Sequence, residues 1–116
     1  MRNLIVQLAG ILALAASIAH GVLGETKVFR RARIEPAGVR RLLRLVWQCG
    51  VVAWVGLAVL LIAAPSLGSI EARTWIIAMS IVTFGFAAAA NAWATRGRHF
   101  GWIALTLVAG LAAIGL

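Results

Sequence analysis

Acidic side chains are almost missing from this 116-residue chain: Glu25, Glu35 and Glu71 are all it has, against eleven lysines and arginines. None of the three falls inside a long apolar run. That absence argues against a proton-coupled carrier, which needs ionisable groups within the membrane. It also argues against catalysis, since no positioned acid, base or activated nucleophile is visible. Cysteine is scarce too. The single Cys49 cannot form an internal disulfide, and its apolar surroundings predict a buried, inert thiol.

Charge of either sign is missing over four long stretches. Residues 3–24, 45–70, 74–95 and 99–116 contain no Asp, Glu, Lys or Arg. With 63% hydrophobic residues and a mean hydropathy of +1.00, the chain falls outside the water-soluble globular class. A membrane-crossing helix needs about 20 apolar residues to traverse a hydrocarbon layer of about 30 Å. Spans are predicted near 4–23, 43–64, 75–95 and 100–116, the last only just long enough. The runs are continuous and rich in Leu and Ala, without period-two alternation, so helices are preferred over barrel strands. The expected fold is one all-α domain covering 1–116, an antiparallel four-helix transmembrane bundle.

What charge there is lies between the runs. Lys27, Arg30, Arg31, Arg33, Arg40, Arg41 and Arg44 crowd the first connection, and Arg96 and Arg98 the third. The second connection holds Arg73 beside Glu71. Basic loops stay in the cytoplasm, so 24–44 and 95–99 are expected there and both termini on the opposite side of a bacterial inner membrane. The first run imitates a secretory signal, with Arg2 before it and Ser17-Ile18-Ala19 near its end. The basic residues that follow resist translocation, so the run is read as a retained span. A net charge of +8 also raises the question of nucleic acid. No stacking aromatics are interleaved with the basic residues, so anionic lipid headgroups or a protein partner fit better. Glu35-Pro36 divides the cluster: helix one is expected to run to about Arg33 and helix two to begin near Pro36.

Small residues mark where helices approach in lipid, because apolar side chains gain little there by meeting one another. On helix one, Ala9, Gly10, Ala13, Ala16, Ser17, His20, Gly21 and Gly24 share about 140° of arc. Ser80, Thr83, Ala87 and Asn91 share a face of helix three, and His99, Trp102, Thr106, Gly110 and Ala113 a face of helix four. Helix two offers Cys49, Ala53, Gly56 and Ala63, with Trp47 and Trp54 opposite and so expected to face lipid. Trp75, Trp93 and Trp102 sit near span ends, as an interfacial belt requires.

One polar side chain from each helix then reaches a similar depth on the cytoplasmic side: His20, Gln48, Asn91 and His99. This layer is the candidate site. Hydrogen bonds across it, each worth about 0.6 kcal/mol in membranes, would fix helix register. The sharper alternative makes His20 and His99 a pair of haem or metal ligands; no other cofactor is indicated. Small four-helix drug exporters share the length and span count but place an essential carboxylate in their first helix, where this chain has Gly10, Ala13 and Ser17.

The elements HGVLGE (20–25), LRLVWQ (43–48) and RHFGW (98–102) resemble those of small bacterial four-span inner-membrane proteins with no named activity. In such proteins histidine is expected where this chain has Gln48. The resemblance implies the fold and no chemistry. The function expected from the sequence is an accessory, assembly or regulatory subunit acting by helix contact within a larger complex, or by self-association. The rival is a module that binds haem, a metal, quinone or lipid at the polar layer.

Overall fold

A computed structural model describes residues 1–116, and every regular element in it is helical. Helix α1 spans Arg2–Leu23 and continues through a π-helical turn, Gly24–Val28, into Phe29–Arg31. Helix α2 covers Ala37–Ala63 and closes in a 3-10 turn, Ala64–Ser66. Helix α3 is Ile70–Thr95 and helix α4 Gly101–Ile114. The expected break at Glu35-Pro36 is present, with Pro36 immediately before α2. Ser69 caps α3 through its hydroxyl, which accepts from the Ala72 N–H at 3.2 Å.

Three of these helices, Arg2–Arg31, Ala37–Ser66 and Ile70–Thr95, are long and apolar enough to cross a membrane. Helix α4 has 14 residues, a rise of about 21 Å. Only 19 of 116 residues are buried, while Leu42, Val52, Val82, Phe86 and Trp93 stand exposed. That inversion suits hydrocarbon as the surrounding medium and no aqueous one.

Helix α1 is the centre of the packing: it lies against both α2 and α4, and α4 lies against α3. Its small face is buried as expected, with Ala9, Gly10, Ala13, Ser17, Gly21 and Gly24 all inside. At Gly10 an added Cβ would come within 2.9 Å of the Ile62 nitrogen and the Ala58 oxygen, both backbone atoms. Only glycine permits that approach. Ser17 and Ser80 are buried but satisfied, each donating to its own helix at 2.7 Å, to Ala13 O and Ile76 O.

Three facial expectations fail. The small residues Cys49, Ala53 and Gly56 of α2 are exposed, and its buried positions are Ala58 and Leu61. Cys49 is therefore not a buried thiol. On α4, Thr106, Gly110 and Ala113 face outward, whereas Leu105, Val108 and Ala112 pack inside. On α2 larger apolar residues fill the seam because α1 supplies the glycines, Ile62 lying on Gly10 and Val51 on Gly21, whereas at the end of α4 it is Gly115 that makes room for Val6 of α1. Trp47 and Trp54 are half-buried and face the bundle, for a reason the site makes plain.

The termini close the far end. Arg73 donates to Asn3 Oδ1 and to Gly115 O, and Arg2 donates to Leu116 O. Gly115 abuts Val6 so closely that a Cβ would overlap it.

Candidate functional site

Trp47 and Trp54 are seven residues apart on α2. Seven residues make nearly two turns, so both indoles share a face about 10.5 Å apart along the axis. That gap accepts one flat ring, and His20 of α1 fills it. Its imidazole stacks on Trp47 at 4.3 Å and 13° and on Trp54 at 4.7 Å and 25°. Phe29 meets the outer Trp47 ring edge-on at 5.6 Å, and Phe84 of α3 meets Trp54 at 5.5 Å. Tryptophan covers a polar ring here, which is why these two do not face lipid.

The same region locks α1 to α2 by hydrogen bonds. Trp47 Nε1 donates to His20 O at 3.2 Å, and Gln48 Nε2 to Gly21 O at 3.3 Å. These carbonyls lie just before the widened turn Gly24–Val28, where the ordinary helical ladder is interrupted and side chains insert. Gln48 Nε2 also donates to Glu25 Oε1 at 2.9 Å. Arg44 Nε donates to both Glu25 oxygens at 3.0 and 2.7 Å, and its Nη2 pairs with Oε2 at 2.6 Å. Gly24 sits flat against the Trp47 indole, where any side chain would collide. HGVLGE and LRLVWQ are thus two halves of one joint.

The four-residue polar layer divides. His20, Asn91 and His99 line a single small cavity of about 60 Å³ between α1, α3 and α4. Gln48 is turned to the other side of α1, into a surface recess with Glu25 and Gly21. A direct bond from His20 to Asn91 or Gln48, expected of a layer that fixes register, is not formed: the imidazole makes aromatic contacts only, and Gln48 is committed to Gly21 and Glu25. Asn91 Oδ1 is buried with no partner.

His99 belongs to the turn before α4. Its Nδ1 accepts the Gly101 N–H at 3.0 Å, and its ring stacks on Phe100 at 4.7 Å. Arg96 and Gly97 supply the left-handed turn that ends α3, with φ of 53° and 72°. Because Nδ1 already accepts a bond, the neutral ring carries its proton on Nε2. Neither nitrogen is then a free ligand for iron or another metal. His20 and His99 do not fit the haem or metal pair, and no group of three His, Cys, Asp or Glu is gathered elsewhere.

The largest opening is lined by three of the four residues expected on one face of α3, Thr83, Ala87 and Asn91, which meet open space instead of a neighbouring helix. Helices α2 and α3 barely touch, and between them lies a cleft of about 670 Å³. His20 and Trp54 form its floor, Val82, Thr83, Phe86, Ala87, Ala90, Asn91 and Ala94 of α3 one wall, and Leu105 reaches in from α4. Val82 and Phe86 at its rim are exposed, so the cleft opens sideways from the bundle. His20 and Asn91 line both this cleft and the small cavity behind it.

The basic residues lie apart from this cleft. Lys27, Arg30, Arg31, Arg33, Arg41, Arg44, Arg96 and Arg98 are exposed, and Arg40 is half-buried, donating to Phe29 O. No known protein family, curated protein or solved structure matches this chain.

Proposed function

We propose that this protein is a small inner-membrane module that admits a membrane-dissolved ligand sideways into the cleft between α2 and α3. One observation carries the reading: a space of about 670 Å³, within the range of small-molecule sites, has a histidine, an amide and a threonine as its polar groups and apolar side chains over the rest of its lining. No nucleophile or metal set accompanies it, so binding is the activity proposed and no reaction. The test is recovery of a bound apolar molecule from protein purified in mild detergent. Ala90 is exposed and lines the cleft, so Ala90→Trp fills the space without disturbing the core. The wild type should retain a molecule that this variant loses. Equal retention, or none in either, would remove the proposal.

The membrane setting belongs to the same reading. The chain is a four-span bundle with 24–44 and 95–99 in the cytoplasm and both termini outside, following the distribution of basic residues. In support, α4 runs beside α1 from the level of His20 to that of Val6, where Gly115 meets it. Its shortness calls for local thinning of the bilayer. The exposed basic residues meet anionic headgroups. Cysteines placed at Arg33 and at Asn3, in a Cys49→Ala background, should be labelled by impermeant reagents from opposite sides. Labelling of position 33 from the periplasmic side would overturn the topology.

A second reading, the accessory or assembly subunit, keeps one observation in its favour. The face of α2 with Gly50, Ala53 and Gly56 is uncovered, and nothing lies within 4 Å of a Cβ at either glycine. Close helix packing by a partner or a second copy would suit it. A lone, monodisperse protein after mild solubilisation would count against this reading.

A further inference from the structure

We infer that the cleft between α2 and α3 takes a molecule of the isoprenoid-quinone class, a flat carbonyl-bearing ring on an apolar tail. This inference rests on the ligand-site reading above and narrows it. The α3 wall runs from Val82 to Ala94, about 18 Å along the helix axis. Two of the cleft's three polar side chains, His20 and Asn91, stand together toward the cytoplasmic end, whereas Val82 and Phe86 lie toward the bilayer centre with the small hydroxyl of Thr83 between them. An amphipathic occupant therefore has its head at His20 and its tail running inward.

The head must suit groups whose hydrogen bonds are unused. The imidazole of His20 has both faces covered by indoles, so a ligand meets its edge, where the ring nitrogens are. No protein atom bonds to them, and a neutral imidazole always keeps one N–H donor. The Asn91 amide nitrogen, which no protein atom accepts from, supplies a second donor; its Oδ1 is enclosed without a partner, is itself an acceptor and takes no part in holding a carbonyl. A ring carbonyl accepts from such donors, and a planar ring packs against Trp54.

The rival occupant is a phospholipid, and its phosphate needs cations. The cleft lining contains neither Lys nor Arg, although the chain has eleven of them. The absence of cations at the head end, beside two neutral donors, selects a carbonyl over a phosphate.

The test uses the whole protein in lipid nanodiscs, titrated with a decyl-substituted benzoquinone and, separately, with decanol, which has the tail and no ring. Binding is read from ligand retained after gel filtration and from the shift in thermal unfolding. The benzoquinone should bind saturably and decanol should not. Asn91→Leu should weaken benzoquinone binding about tenfold, the equivalent of one good hydrogen bond. His20→Leu should weaken it at least as much, and Ala90→Trp should abolish it while remaining folded. Decanol and benzoquinone binding alike, both lost in Ala90→Trp, would overturn the quinone assignment and leave the ligand site standing. No saturable binding of either probe would overturn both. Benzoquinone binding that Ala90→Trp and Asn91→Leu leave unchanged would place it elsewhere and also end the proposal.

Discussion

The two flanks of α2 are built by opposite rules. Toward α1 it is closed at three levels: Gly10 admits the Ile62 and Ala58 backbone, Gly21 lies beneath Val51, and Gly24 lies under the Trp47 indole. Polar bonds from Trp47, Gln48 and Arg44 tie the half of that seam nearest the start of α2. Toward α3 there is little besides the edge contact of Trp54 with Phe84, and a cleft stands open. Helices in lipid gain little from apolar contact alone, so a seam closes only where small residues let backbones approach or polar groups bond across it. The α3 side of the α2–α3 seam does offer Ala87, Ala90 and Ala94, but α2 answers with the bulk of Trp54 and no polar group bonds across. One flank of α2 is thus closed and the other open, and His20 borders both.

The comparison can be broken most severely at Gly10. Gly10→Val drives a side chain into backbone atoms that cannot swing away, and overpacking of this kind costs about 3 kcal/mol. Its thermal unfolding in detergent should fall well below wild type, while Gly56→Val, on the uncovered face of α2 that meets no other helix, should leave Tm unchanged. Equal behaviour of the two would mean that α1 and α2 do not meet as described. His20→Leu comes next. It loses two ring contacts, each worth about 0.5–1.5 kcal/mol, and the Trp47 and Trp54 emission should shift as their shared partner disappears. An unchanged melting curve and spectrum would argue that the sandwich is not formed.

A smaller effect is expected at the ion pair. Glu25→Gln removes the charge that Arg44 engages, but both side chains are partly solvated, at 34% and 49% exposure. The loss of stability should be slight and should shrink further as salt is raised. A large, salt-independent loss would mean that the joint is far drier than its exposure suggests. The smallest effect should come from lipid composition. Anionic lipid should stabilise the protein over zwitterionic lipid through Arg30, Arg41 and their neighbours, and this margin too should fade with salt.

Much of the helical layout was legible in the sequence. Uncharged runs located the helices, Pro36 located the break, and the small face of α1 is unambiguous because seven small residues share one arc with His20. The faces of α2 and α4 were misread for a common reason. A small residue marks a close approach only if a partner arrives, and a single helix does not say from which side. The spacing of Trp47 and Trp54 was a usable signal that the belt rule obscured. Two indoles two turns apart on one face suit a ring between them as well as they suit lipid. Gln48 shared the depth of the other polar groups and nothing else, because depth follows from position along the helix while direction depends on its rotation.

The sequence by itself determined that this chain is helical and apolar enough for a bilayer, since length, hydropathy and the confinement of charge follow from local composition. Only the tertiary structure decided that His20 is sandwiched, that the polar layer splits in two, and that α2 and α3 stand apart. Those depend on how each helix is rotated about its axis and on which seams close. That choice is made by contacts between residues far apart in the chain.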